Sequence, residues 1–285
     1  MHPLVEQALS MRPGHKEIAM AQLGQDVTFS QIICGFTMTV ESVYADANRV
    51  VIGYTLSGPP DRVLRVGMGM LPPTLMDAAG RELRFLEGGG RSDANETGCY
   101  ASFDAGPIAH PITAVDLRLT IPFIAAHEYW GDQLPVIVPC ELYNNVTGMG
   151  PNTREVRVLG PMVFNLHVVT DTRCRIADVF HKEYIDDFEV TLERVIVTPS
   201  ETRVYLRNDP PQDVLVELKI DGESIVGGEG RWPSNQAHTV QSWVTPLYNR
   251  HGRWTITVHS RREEVGGQWM WTGTPALFQV SMESM

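Results

Sequence analysis

FTMTVESV spans residues 36–43, and FEVTLERV spans residues 188–195, about 150 residues further on. The octets share Phe, Thr, Glu and Val at matching places, with Met38/Val190 and Val40/Leu192 as near matches. In each, apolar residues alternate: Phe36, Met38 and Val40, then Phe188, Val190 and Leu192. Period-two alternation of aromatic and branched residues predicts a half-buried strand. The alternation then slips by one, because the next apolar positions are Val43 and Val195. A one-residue slip would reverse the buried face, so a β-bulge is expected at Glu41-Ser42 and at Glu193-Arg194. A shared irregularity argues for a repeat more strongly than shared hydrophobicity does.

The pattern continues outward from both octets. Turn residues follow, Asp46-Ala47-Asn48-Arg49 (read as an Asx-type turn) and Thr198-Pro199-Ser200-Glu201. Strands resume with Val50, Ile52, Tyr54 and Leu56, and with Val204 and Leu206. TLMDAAGRELRF (74–85) and VELKIDGESIV (216–226) each read as a hairpin, and Asp221-Gly222 favours a tight one. VDLRLTIPF (115–123) matches RWTITVHS (253–260), and GPMVFNLHV (160–168) matches TPALFQVSM (274–282). A proline is tolerated at the start of such a closing strand. Phe36, Phe164, Phe188 and Phe278 are the expected core anchors.

Two all-β modules follow, 24–172 and 180–285, each expected to be a β-sandwich. TDTRCRIADVFHKEYIDD (170–187) reads as the region joining them. EGGGRSDANETG (87–98) and residues 125–155 read as surface insertions in the first module, serving as lids or decoration. Residues 1–23 form a helical lead-in, with Leu4, Val5, Ala8 and Leu9, then Ile18, Ala19 and Leu23, at helical spacing. Pro3 suits a first helical turn, and Pro13-Gly14 divides the segment into two helices. Packing against the first module is one reading of this segment; a stub beside a membrane anchor is the other.

Composition narrows the functional classes. The 285-residue chain carries a net charge of −11 and no Lys/Arg-rich run, which speaks against nucleic acid as a partner. No run of 18 apolar residues and no signal-peptide core occurs. GxSxG, HExxH and P-loop motifs are all missing, so neither an enzyme nor a cofactor or metal is expected. Gly88-Gly89-Gly90 reads as a loop tip. His127-Glu128 near Asp132, and His181 near Glu183, Asp186 and Asp187, read as solvated charge. The cysteines at 34, 99, 140 and 174 fit buried thiols or one disulfide, with Cys99 and Cys140 the pair to test. Trp269 and Trp271 alternate around Met270 and, with Trp130, make a candidate sugar-stacking surface; packing is the competing reading.

The stretches LGQDVTFSQIICGFTMTVESVYADANRVVIGYTLSG (23–58), GPMVFNLHV (160–168) and FEVTLERVIVTPSETRVYLR (188–207) resemble a family of uncharacterised bacterial ectodomains. Those ectodomains lie C-terminal to the membrane helix of proteins similar to membrane-bound anti-sigma factors. The resemblance implies an immunoglobulin-like first domain followed by a second sandwich. It also implies an extracytoplasmic location, with the membrane reached only through an N-terminal anchor missing from residues 1–285. The zinc-binding cytoplasmic segment of such proteins is likewise not present. The expectation is therefore an all-β chain of two tandem immunoglobulin-like sandwiches with a short helical lead-in. Its expected role is a non-enzymatic sensor or binding ectodomain of a membrane-anchored regulator, facing a protein or cell-wall ligand. The alternative is a carbohydrate-binding or adhesive surface module.

Overall fold

A computed structural model of the chain describes every residue except 34, 59–63, 69–71, 94–95, 107–111, 130–142, 151–152, 186–187, 212–213, 232–237, 246, 260, 266–267, 273 and 283–285. It forms two compact modules, Met1–Thr172 and Arg173–Met285. The architecture is all-β: two immunoglobulin-like sandwiches in tandem behind a short helical lead-in.

Module one opens with α1 (Pro3–Leu9) and α2 (Pro13–Met20). Eleven strands follow: β1 (Gln25–Ile33), β2 (Phe36–Ala45), β3 (Arg49–Ser57), β4 (Leu64–Met68), β5 (Thr74–Asp77), β6 (Glu82–Leu83), β7 (Phe85–Asp93), β8 (Glu96–Asp104), β9 (Ala114–Tyr129), β10 (Tyr143–Gly150) and β11 (Thr153–Val169). One sheet has the order β1-β2-β3-β8-β7; the other runs β10-β11-β9-β5-β6, with β4 also paired to β9. Module two contains β12 (Arg175–Ile185), β13 (Phe188–Val197), β14 (Thr202–Asp209), β15 (Leu215–Ile220), β16 (Glu223–Ile225), β17 (Gly228–Arg231), β18 (His238–Trp243), β19 (Gly252–His259), β20 (Arg261–Val265), β21 (Gln268–Thr272) and β22 (Ala276–Met282). Its sheets run β12-β13-β14-β18-β17 and β16-β15-β19-β22, and β20 and β21 form a separate pair. The first sheets of the two modules therefore correspond strand for strand, and β6-β5-β9-β11 corresponds to β16-β15-β19-β22.

The duplicated bulge is present in both copies. Pairing of β2 with β3 shifts between Val40 and Ser42, leaving Glu41 as the extra residue. Pairing of β13 with β14 shifts between Leu192 and Arg194, around Glu193. The shift returns Val43 and Val195 to the core face, so both ends of each strand bury their apolar side. The turn chemistry also matches the sequence reading. Asp46 Oδ1 accepts from the backbone N–H of Asn48 (2.8 Å) and Arg49 (2.9 Å), and Thr198 Oγ1 accepts from that of Glu201 (3.3 Å). Asp221 and Gly222 both have positive φ (49° and 86°), as a two-residue hairpin turn requires.

Each module has its own core between its two sheets. Phe36 and Phe164 lie in the first, on opposite sheets, and Phe188 and Phe278 occupy the same places in the second. Interdigitation of the two inner faces is what closes a sandwich. At one seam of module one a side chain stands in for a strand: Gln31 Nε2 donates to the carbonyl of Val163 (2.5 Å), and its Oε1 accepts from the N–H of Val163 (3.1 Å).

Three features depart from the sequence reading. Module two begins at Arg173 rather than at 180, because most of the expected linker is strand β12. β12 borders its sheet, and several of its outward side chains are polar, which hides the alternation. Gly88-Gly89-Gly90 is not a loop tip but part of β7, paired along β8. A Cβ added at Gly89 would stand 2.9 Å from the Tyr100 ring, and one at Gly90 3.1 Å from Cys99 Sγ. These glycines are needed for close approach, which a glycine run does not distinguish from a turn. Pro161 lies inside β11, at the register break between Leu159 and Met162, where no ladder donor is required.

Candidate functional site

The first sheet of module one packs one face on the core and carries the two helices on the other. Its outer rows are set by register: Ser42, Gly53 and Tyr100 face across β2, β3 and β8, beside Tyr44, Val51 and Ser102. The bulge at Glu41 is what turns Ser42 and Tyr44 outward while Val43 and Ala45 stay inside. α1 is capped at its start by His2, whose Nδ1 accepts from the N–H of Leu4, and Pro3 fills a position that needs no donor. Its buried residues, Val5, Ala8 and Leu9, lie at the three- and four-residue spacing of one helical face. With Ile18 of α2 they form a third apolar cluster against Tyr44, Val51 and Tyr100.

Two glycines make that contact possible. A Cβ at Gly98 would sit 2.2 Å from the Leu4 carbonyl carbon and 2.4 Å from the Val5 nitrogen; one at Gly53 would sit 2.5 Å from Val5 Cγ1. Both are interior strand positions where glycine costs stability, so the close approach of α1 is their physical reason. In module two the equivalent register positions hold Tyr205 and His238. Among the described residues, only the first sandwich has a pair of glycines at these register positions.

Beneath α2 lies a polar cluster. Arg49 Nη1 donates to Glu87 Oε1 (2.6 Å), to Ser102 Oγ (3.2 Å) and to His15 Nε2 (3.1 Å). Arg12 Nε donates to the other oxygen of Glu87 at 2.9 Å. The His15 ring is fully buried and meets the Tyr100 ring edge-on, with centroids 4.9 Å apart. A guanidinium cannot accept a hydrogen bond, so Nε2 must be the acceptor and the imidazole proton belongs on Nδ1. Nδ1 is buried without a hydrogen-bond partner. Burial, then the charges of Arg49 and Arg12, hold the His15 pKa well below the ordinary imidazole value. Next to this cluster a cavity of about 390 Å³ is lined by Leu9, Ile18, Tyr44 and Val51 with the carboxylates Glu6 and Asp26.

The residues singled out in the sequence are dispersed. Phe36, Phe164, Phe188 and Phe278 are core. Trp269 and Trp271 occupy alternate positions of β21, opposite Glu264 and Arg262 of β20; Trp130 lies outside the described residues. Cys99 is a free thiol in β8 facing Tyr54, and burial pushes its pKa up to about 12, so it carries no thiolate near neutral pH. Its expected disulfide partner, Cys140, lies outside the described residues, as does Asp132 beside His127-Glu128. His181 pairs with Glu183 at the surface (2.9 Å). An exposed His167–Asp116 pair (2.7 Å) sits in a shallow cavity with Asp77, Arg118 and Asn165, and among the described residues no Ser, Thr or Cys lines it. Among the described residues no three His, Cys, Asp or Glu side chains are placed to hold a metal ion, and no helix is long and apolar enough to cross a membrane.

The sequence reading missed His15, Arg49, Glu87, Gly53 and Gly98 as one site. The signal available was Gly53, an isolated glycine inside a strand pattern, which marks a bulge or a close approach.

No known protein family matches the chain, and no curated protein does. The chain is similar in fold to a solved structure described as the conserved domain protein from Bacillus anthracis, with a TM-score of 0.58, 13% identity and 92% of each chain covered. A three-domain immunoglobulin structure of titin, I67–I69 in an E-to-A mutated variant, aligns with 84% of this chain and 60% of its own at 9% identity and a TM-score of 0.18. The first likeness covers both sandwiches and concerns fold alone.

Proposed function

We propose that this chain is the non-enzymatic, extracytoplasmic sensor or binding ectodomain of a membrane-anchored regulator, of the kind associated with anti-sigma-factor-like proteins. The observation that carries the reading is the place of residues 3–20. They lie at the end where the resembling ectodomains meet their anchor, and they are folded onto the first sandwich. An event at the module surface would thereby reach the anchor-side segment directly. Two sandwiches with rigid cores suit such a task, because their end loops and outer faces vary while the cores stay fixed. The partner is a protein or a cell-wall ligand. To test this, the complete gene is expressed in its own host with a C-terminal epitope tag. Protease added to intact cells should remove the tag, while the anchor fragment stays with washed membranes. A tag protected in intact cells but cleaved after lysis would overturn the proposal.

A carbohydrate-binding role is the second reading, favoured by the separate β20–β21 pair with Trp269 and Trp271 at alternate positions. Ring faces stacked on sugars would supply the affinity. On a glycan array the Trp269→Ala/Trp271→Ala double variant should lose the wild-type signal. No wild-type signal, or one that the double variant keeps, removes this reading.

A further inference from the structure

We infer that α1 and α2 are a releasable strap over a helix-receiving face of the first sandwich, with His15 as the latch that opens on acidification. The receiving face is the surface of Tyr44, Val51 and Tyr100 around Gly53 and Gly98, and its occupant is the chain's own segment 3–20. This inference stands independently of the location proposed above.

The face is shaped for a helix. The α1 backbone at Leu4 and Val5 lies where a Cβ at Gly98 would stand, and the branched Val5 side chain lies where one at Gly53 would. The strap itself is slight. α1 has seven residues and α2 eight, so neither is stable as an isolated helix, and both depend on docking. Their attachment therefore rests on one small apolar cluster, on the polar contacts around His15, and on two part-exposed ion pairs, Met1 N–Asp26 (3.4 Å) and His2–Glu96 (3.4 Å).

Among the described residues, the charged or titratable groups facing His15 are Arg12 at the start of α2, Arg49 of β3, Glu87 of β7 and Tyr100 of β8. Ser102 of β8 completes the surround through Arg49. Glu87 already binds two guanidinium groups, so its charge is engaged before His15 gains a proton. A proton on Nε2 would aim N–H against the N–H of Arg49 at 3.1 Å. The docked strap thus disfavours the imidazolium, although Glu87 Oε1 stands 3.8 Å from Nε2. In the released strap His15 titrates at its ordinary value near 6.5. Release takes up a proton, so docking is fully favoured above about pH 6.5 and weakens as pH falls below it, up to about tenfold per unit.

Hydrogen exchange of the full chain, followed by mass spectrometry and corrected for intrinsic rates, tests the inference. Between pH 7.5 and 5 the opening constant of residues 3–20 should rise as pH falls below about 6.5, with a slope approaching tenfold per unit, while the amides of β3 and β13 keep their protection. His15→Gln retains an acceptor for Arg49 and does not titrate; His15→Leu removes both. Each should flatten the pH profile of the strap. Gly98→Val should leave the strap open at every pH and supply the reference for full release. A wild-type profile flat down to pH 5, or the wild-type slope in both His15 variants, overturns the latch. A strap that stays protected in Gly98→Val overturns the receiving face.

Discussion

Replacing Phe36 by Ala should cost module one about 3–5 kcal/mol, and Phe188→Ala should cost module two about the same, because each removes a large buried ring and leaves a cavity that a sheet-on-sheet core cannot close. Both rings are buried at the start of the second strand of their sandwich, and each belongs to a separate core. The damage should therefore stay in the mutated module. Region-resolved hydrogen exchange reads this directly: Phe36→Ala should raise exchange in β2, β3 and β9 and spare β13, β14 and β19, and Phe188→Ala should do the reverse. A loss below about 1 kcal/mol at both sites, well under the usual large-to-small cost, would mean that neither is a core anchor.

The second large effect is expected at Arg175, the first residue of β12. Its guanidinium is buried and donates through Nη2 to the carbonyls of Leu247 (2.9 Å) and Arg250 (2.8 Å), and through Nη1 to His251 Nδ1 (3.3 Å). It also lies over the rings of Tyr248 (5.7 Å) and Trp254 (5.8 Å). One side chain thus ties the first strand of module two to the loop before β19. Met fills a similar volume but donates nothing. After Arg175→Met the Leu247 carbonyl keeps its turn bond from the Arg250 N–H, whereas the Arg250 carbonyl loses its charged donor. The lost charge-assisted bonds and ring contacts together should cost about 2–4 kcal/mol. Arg175→Lys should recover only part of this, because an ammonium cannot span two carbonyls as a planar fork does. Urea unfolding monitored by tryptophan fluorescence measures it, and a Met variant as stable as wild type would show that the clamp carries no stability.

What was legible in the sequence was whatever local chemistry forces. The slip after Val40 and Leu192, the Asp221-Gly222 turn and the side-chain-capped turns at Asp46 and Thr198 all have a residue-level cause, and all stand where expected. β1 and β12 were harder to see. As bordering strands they expose residues such as Ser30, Asp26, Lys182 and Tyr184, so their alternation is blurred. A signal existed all the same: DVTFSQII (26–33) and DVFHKEYI (178–185) carry Asp, Val and Ile at matching places, extending the repeat one strand upstream. β7 was read as a loop because its glycines answer to Tyr100 and Cys99 on a neighbouring strand, a tertiary cause that no window of sequence displays. The cluster around His15 was invisible for the same reason, since Arg49 stands at least 34 residues along the chain from His15, Glu87 and Ser102, which it joins.

The Gln31 amide and the paired bulges have a bearing on solubility. A protein built almost wholly of antiparallel sheets presents open strand edges, and an unguarded edge is a template for a neighbouring molecule. Gln31 occupies both the donor and the acceptor of Val163, so at that residue β11 has no main-chain group left for another chain to pair with. The bulges reach the border strands as well: pairing of β1 shifts between Asp26 and Phe29 opposite Glu41, and pairing of β12 shifts between Asp178 and His181 opposite Glu193. A kinked border resists flat stacking, even where Phe29, Ile32, Phe180 and Tyr184 are exposed along it. The irregularity that reveals the duplication thus also guards both modules against edge-to-edge polymerisation.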